Sequence, residues 1–331
     1  MDWIRFFFGA GALAAGITIA SAQAASAGSG QGYPSKPIRF IAPFPPAGSS
    51  DLIARILSQR MSEELGQPVV VDNRPGASGS LGTELCAKAP ADGYTLVLGS
   101  IAGFAINPHL LKHVGYHPVK NFTAAAALGQ APQMLVVNPS LPAKSVQEFL
   151  ALARKKANSL TCGSGGVGTP AHFGCELLRL RGNAQLLHVP YKGTGLSVTD
   201  LLGGQIHSVF ASMPVAYPHV RSGKLRALAT SSAARLPAFP YVPTAQEAGL
   251  EGYQVTTWYG VFAPAGTPPA IVNRLHSDLG KAMQTPDVRA KLEGIGADGT
   301  VSRTPGEFAA LVRADTARYA KIVKDIGLKL D

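Results

Sequence analysis

The sequence predicts an α/β protein of two domains, and three observations predict it. From Lys36 to the C-terminus, extended apolar runs alternate with amphipathic helical patterns, the signature of strands joined through helices in a mostly parallel sheet. The chain of 331 residues is 46% hydrophobic and 15% charged, which is enough apolar material for one or two cores and too little charge for disorder. Two long strand-like segments, Gln133–Asn138 and Val255–Ala263, are able to run from one domain to the other. Residues 134–257 then form one domain, and the two ends, 33–133 and 258–331, together form the other.

The apolar runs place strands at Ile38–Ala42, Val69–Val71, Thr95–Leu98, Met134–Val137, Leu160–Cys162, Leu187–Val189, Ser208–Ala211, Arg226–Ala229 and Val255–Phe262. Helices between them carry start signals. Ser145-Val-Gln-Glu148, Thr244-Ala-Gln-Glu247 and Thr304-Pro-Gly-Glu307 each fit a capping box, in which the hydroxyl and the carboxylate satisfy backbone N–H groups reciprocally. Thr267-Pro268 and Thr285-Pro286 put proline at the first helical position, where its missing N–H costs nothing. The first helix, from about Asp51, shows Ile53, Ile56, Leu57, Met61 and Leu65 at helical spacing and stops at Gly66. The 37 glycines and 25 prolines are scattered as punctuation, without the period of a fibrous chain.

The net charge of +10 comes from a shortage of acids, 20 against 30 bases. The one tight basic run, Arg154-Lys155-Lys156, has no interleaved aromatic side chains to stack bases, so nucleic acid is not an expected partner. A diffuse positive field instead suits small anions. Residues 1–24 read as an export signal: Arg5 is the lone cation before the apolar run Phe6 to Ala20, and Ala22-Gln23-Ala24 is a cleavage site. That run falls short of the ~20 residues needed to span a bilayer, so the mature protein is expected to be exported and soluble. The three cysteines, Cys86, Cys162 and Cys175, are too few for a disulfide scaffold. Export permits a bridge between Cys162 and Cys175, but three small buried apolar side chains are the simpler expectation. No cysteine or histidine spacing points to a metal.

Three glycine- and serine-rich loops follow strands and run into helices: Pro43-Phe-Pro-Pro-Ala-Gly-Ser-Ser50, Gly99-Ser-Ile-Ala-Gly103 and Gly163-Ser-Gly-Gly-Val-Gly-Thr-Pro170. In open α/β sheets ligands sit at the carboxyl ends of the strands. Helix N-termini there present unpaired N–H groups and partial positive charge to an anion, and serine and threonine hydroxyls add rotatable donors. The third loop contains Gly163-x-Gly165-x-x-Gly168, formally a dinucleotide fingerprint. The next strand, however, runs into Val189-Pro190-Tyr191-Lys192 without the acid that would hold a ribose. No G-x-S-x-G elbow, Walker loop or H-E-x-x-H helix occurs. The remaining enzymatic reading is a secreted hydrolase using Ser164 and His172, a pair with no nearby acid to orient the imidazole.

Eight strings in order resemble the Bug-type substrate-binding proteins of tripartite tricarboxylate transporters, over essentially the whole chain from Tyr33. They are Tyr33-Pro-Ser-Lys-Pro-Ile38, Pro43-Phe-Pro-Pro-Ala-Gly-Ser-Ser-Asp51, Val71-Asp-Asn-Arg-Pro-Gly-Ala-Ser-Gly79 and Ala91-Asp-Gly-Tyr-Thr-Leu96. The others are Val189-Pro-Tyr-Lys-Gly193, Asp200-Leu-Leu-Gly-Gly-Gln205, Pro243-Thr-Ala-Gln-Glu-Ala-Gly249 and Trp258-Tyr-Gly-Val-Phe-Ala-Pro-Ala-Gly-Thr-Pro268. The resemblance implies a type II periplasmic-binding-protein clamshell without catalysis or cofactor, expected to be a monomer. It implies a small di-, tri- or aromatic carboxylate as ligand and membrane permease subunits as partners. By residue, it points to Phe44, Ala47, Gly48, Ser49, Ser50, Ser100 and Ile101 in one domain, and to Ser164, Gly166, Thr169, His172 and Ser212 in the other. This chain departs from the family pattern at Ala47, where a glycine is usual, at Val167, often asparagine, and at Ala211, where many members have the aspartate of Phe-Asp-Asn. Without that aspartate, amino acids are expected to be weaker ligands, held over a roomier and more apolar floor.

Overall fold

The computed structural model describes residues 32–155, 159–250, 255–297 and 304–325. The export signal with its cleavage site near Ala24, and Lys156 of the basic run, lie outside the described residues. In chain order the first elements are β1 (Ile38–Ala42), α1 (Ser49–Leu65), β2 (Val69–Asn73), α2 (Ser80–Ala87), β3 (Thr95–Ser100), α3 (Asn107–Leu110), β4 (Phe122–Val137), α4 (Val146–Lys155) and β5 (Leu160–Ser164). They are followed by α5 (Pro170–Arg181), β6 (Leu186–Pro190), α6 (Thr194–Leu202), β7 (Ser208–Ser212), α7 (Met213–Arg221), β8 (Arg226–Thr230) and β9 (Thr256–Pro264). Helices α8 (Pro269–Gln284), α9 (Pro286–Gly294) and α10 (Pro305–Asp325) complete the described chain.

Each expected strand has a counterpart, but the sheets are mixed rather than mostly parallel. In the first, β1 lies parallel to β2 and β3, and β9 pairs antiparallel with both β3 and the first part of β4. In the second, the last part of β4 pairs antiparallel with β7 and β8, while β5 lies parallel to β6 and β7. The antiparallel centre follows from chain path: β4 leaves the first sheet for the second and β9 returns. The change of partner is sharp. Pro132 pairs with Thr256 of β9, and the next residue, Gln133, pairs with Ser212 of β7. Ser231 pins this junction: its hydroxyl accepts from Gln133 N at 2.8 Å and donates to Val255 O at 2.6 Å, and its own N–H donates to Gln133 O at 2.8 Å.

β4 is much longer than the expected Met134–Val137 because the run Phe122-Thr-Ala-Ala-Ala-Ala-Leu128 is also strand. Alanine is the best helix former, and nothing alternates in that run. Packing overrides the propensity, since α8 and α10 lie across β4 and leave room for little more than a methyl group. The same crowding fixes Gly260 opposite, where a Cβ would meet the Phe308 ring at 2.2 Å. Around it an aromatic cluster fills the first core: Phe104 stacks on Phe262 at 4.0 Å, and Trp258, itself tied through Nε1 to Asp315 at 2.8 Å, meets Phe308 edge-on at 5.5 Å. The second core gathers Leu135, Phe149, Leu178, Phe210 and Leu228 around β4, β5 and β7.

The helix signals hold with three differences. Glu148, expected to complete a box at Ser145, reaches one residue further back to Lys144 N at 2.6 Å, while Ser145 Oγ accepts from Glu148 N. The Thr244/Glu247 box closes reciprocally, yet it builds one turn rather than a helix, because Gly249 at φ 79° ends it at once. Thr304 and Glu307 form a full box at the start of α10, and Pro286 stands at the first position of α9. In α8 that position is taken by Pro269, one residue after the expected Pro268.

Cys162 and Cys175 are disulfide-bonded, with Cα atoms 5.8 Å apart, which corrects the expectation of three unpaired buried thiols; Cys86 remains free and buried. Sequence proximity understated this pair, since β5 and the second turn of α5 face each other directly across the loop they enclose. Replacing both by serine is expected to lower stability by about 3 kcal/mol, the chain-entropy value for a loop of this size. Urea unfolding of the oxidised protein and of the Cys162→Ser/Cys175→Ser variant measures this; equal midpoints would contradict it.

Candidate functional site

A cavity of about 370 Å³ opens between the two sheets. One wall is the first loop, Phe44 to Ser50, with Ser100 and Ala102 beside it. The facing wall is Thr169-Pro170-Ala171 at the start of α5, Gly193-Thr194-Gly195-Leu196 at the start of α6, and Ser212 at the end of β7. Gln133, Thr257 and Tyr259 line it from the crossing strands, and Thr199 from α6. None of the lining residues is Asp, Glu, Lys, Arg or His. Any attraction for an anion at the cavity wall therefore comes from backbone and hydroxyl groups. Helices α1, α6 and α7 begin here at Gly48, Gly193 and Ser212 with no side chain capping their first N–H groups. At α5 the Thr169 hydroxyl accepts from His172 N and donates to Gly166 O at 2.7 Å.

The first loop is held from behind. Ala47 sits at φ 63°, the left-handed region where glycine is the usual occupant. Its N–H donates to Asp51 Oδ2 at 3.0 Å, and Asp51 Oδ1 receives Arg55 Nε and Asn73 Nδ2, both at 2.9 Å. Burial works to raise the Asp51 pKa, but the bonds from Arg55, Asn73 and Ala47, with the Arg55 charge, hold the carboxyl below its usual range. The Ser49 hydroxyl, from the first wall, is hydrogen-bonded to the Ser212 hydroxyl of the facing wall. Tyr259 reaches the same pair from β9; burial pushes its phenol up to about 12 despite the hydrogen bonds to Ser49 and Ser212. Three hydroxyls from both walls and the crossing strand thus meet at one point.

Of the residues singled out in the sequence, Phe44, Ala47, Gly48, Ser49, Ser50, Ser100, Thr169 and Ser212 line this cavity, and Ile101, Ser164, Gly166 and His172 do not. Ile101 is buried in the first aromatic core. Gly166, at φ 124°, lies against Ser78 and the Tyr191 carbonyl. Ala211 is buried within β7 and off the cavity wall. Ser164 bonds His188 Nε2 at 2.7 Å rather than His172, and it is fully buried, so the pair imagined for a hydrolase is neither formed nor open to a substrate. His172 instead stacks on His188 at 4.2 Å and accepts Gly168 N at its Nδ1, 3.2 Å away. Sequence reasoning missed Gly193–Leu196, although Val189-Pro-Tyr-Lys-Gly-Thr-Gly195 is a fourth strand-to-helix loop of the kind used to pick the other three. It also missed Gln133, Thr257 and Tyr259, for which no local signal exists, because strand crossing alone brings them together.

Burial holds both imidazoles at about 4, with the His172 neighbour adding to the fall at His188 and Glu176 opposing it. Glu176 lies 3.9 Å from His172 Nε2 and is itself paired with Arg179. The unfolded chain takes up protons at these histidines near pH 6.5 and the native state only near 4. Their contribution to stability is therefore complete above about pH 6.5 and is lost as pH falls towards 4. Unfolding free energies at pH 7, 6 and 5 are expected to decline, and more gently in His188→Gln; equal slopes would remove the histidines from the account.

A family model described as tripartite tricarboxylate transporter family receptor matches residues 53–328. BugT of Bordetella pertussis is 38% identical over 318 residues, covering 95% of this chain and 97% of its own. Among solved structures, an R. palustris protein with adipate is 34% identical with a TM-score of 0.85, over 89% of this chain and 98% of that one. MatC from Rhodopseudomonas palustris with bound malate is 33% identical with a TM-score of 0.84, over 88% and 100%. No helix among the described residues is long and apolar enough to cross a membrane. Bug-type strings, a two-sheet clamshell and these matches over nearly the whole chain agree: the chain belongs to the tripartite tricarboxylate transporter receptor family.

Proposed function

We propose that this protein is a periplasmic solute receptor that captures a small carboxylate in the cavity between its two sheets and delivers it to membrane permease subunits without chemical change. The observation that carries this is an uncharged cavity onto which three uncapped helix N-termini open from both walls. Each helix start contributes ~0.3–1 kcal/mol to a carboxylate, up to ~2 when partly buried, and each charge-assisted hydrogen bond roughly 1.5–3 kcal/mol. Four or five such contacts, less the costs of ordering, reach about −8 kcal/mol, a micromolar affinity. Residues 33–133 with 258–331 move as one domain and 134–257 as the other, hinged where β4 changes partner and where the chain returns into β9. The monomer needs no cofactor, and its leader is removed near Ala24. Adipate and malate in the two similar structures support a dicarboxylate. The buried Cys162–Cys175 bond supports an oxidising compartment.

In this reading Phe44, Ala47, Gly48, Ser49, Ser50 and Ser100 hold one end of the ligand, and Thr169 and Ser212 act from the other wall. Ile101, Ser164, Gly166 and His172 support these groups from behind the cavity surface. Gly48 has no room to spare, since a Cβ there would sit 3.3 Å from Pro45 O. Calorimetry with malate and adipate as probes is expected to show at least a tenfold loss for Gly48→Val, about 1.4 kcal/mol, and less than a twofold change for Lys192→Gln, which removes the exposed cation beside Gly193. The reverse ranking would defeat capture by main-chain donors. Because no carboxylate lines the cavity, an ammonium group there has no counter-charge. Malate is therefore expected to bind more tightly than aspartate, its amino counterpart, and a thermal shift larger with aspartate would contradict this.

A further inference from the structure

The two halves of the molecule also meet at a second seam, away from the cavity. Ser78, beyond β2, donates its hydroxyl to Val167 O of the third loop. Gly168 lies against Asn107 and Leu110 of α3, where a Cβ would come within 2.6 Å of Asn107 Oδ1. Most telling is Phe173. One face of α5, through Ala171, Cys175 and Leu178, is buried in the second-sheet core, and Cys175 is bonded to β5. Phe173 points off the opposite face of the helix and is buried in the first-sheet core instead. There its ring meets Tyr319 of α10 edge-on at 5.9 Å. In that core cluster it is the one member drawn from residues 134–257.

We propose that Phe173 is a positioning residue for ligand capture: its insertion into the first-sheet core holds the two halves shut, and so raises ligand affinity without contact to the ligand. It rests on the clamshell reading above. A hinge motion that opens the cavity must draw Phe173 out, exposing both its ring and the Tyr319 ring. Apparent affinity scales with the fraction of molecules in the closed form, and burying a phenylalanine shifts that equilibrium roughly tenfold or more towards closure. The third loop transmits the effect, because Thr169, Pro170 and Ala171 line the cavity within four residues of Phe173.

The test uses the mature chain and the Phe173→Ala variant at a temperature where circular dichroism shows both folded. Small-angle scattering without added ligand is expected to give a larger radius of gyration for the variant. Acrylamide quenching of Trp258 is expected to rise; it lies in the same core cluster, and Trp3, the other tryptophan, is in the leader. With malate and adipate as probes, affinity is expected to fall about tenfold or more. A variant with a lower melting temperature but unchanged radius and quenching would overturn the proposal and leave Phe173 as an ordinary core residue. If the alanine variant does not fold, Phe173→Leu carries the same readouts with smaller shifts. Should neither probe bind the wild type while the radius still grows, carboxylate capture fails and the closing seam stands.

Discussion

Backbone N–H groups that no side chain caps, at the starts of α1, α6 and α7, are the constraint on which the rest of this structure turns. A helix start buried without a partner is costly, so three of them opening onto one uncharged cavity require something to bring them there and something to satisfy them. The crossing strands do the first. β4 alone runs through both sheets, and its change of partner from β9 to β7 at Pro132–Gln133 sets the two sheets with the carboxyl ends of their strands facing each other. In the proposed function a small anion does the second. Neutral donors suit that task because the open cleft then strands no buried cation.

Support behind the cavity is as specific as the cavity itself. Asp51 spends its carboxylate on Ala47, Arg55 and Asn73, which keeps the first loop in a turn that alanine adopts only under strain. On the other side the disulfide, the stacked histidines and the Ser164–His188 bond hold the third loop by its two ends. The chemistry-bearing side chains there are therefore absorbed in holding the loop's shape, which accounts for Ser164 and His172, the pair that resembles a catalytic one in sequence and is buried here.

The sequence makes much of this legible because the signals are local. Strand-to-helix loops rich in glycine and serine identify the first wall almost completely, and Gly66, Pro286 and Thr304 mark helix ends through the backbone geometry each residue type imposes. What the sequence hides is non-local. The alanine run Ala124–Ala127 carries no strand signal, and only the packing of α8 and α10 accounts for its place in β4, while Gln133, Thr257 and Tyr259 come together only through strand crossing. Cys162 and Cys175 pair because β5 and α5 face each other, a fact that spacing alone leaves open. Gly193–Leu196 is the instructive omission, since it obeys the same local rule as the loops that were identified.

The central claim is that main-chain amides of both walls take the ligand's charge. The most direct measurement is amide nuclear magnetic resonance of isotope-labelled protein titrated with malate or adipate. The account predicts saturable shifts at Gly48, Ser49 and Ser50 together with Gly193, Thr194 and Gly195. Saturable binding that leaves both sets of amides unmoved, or moves amides of one wall only, would contradict it.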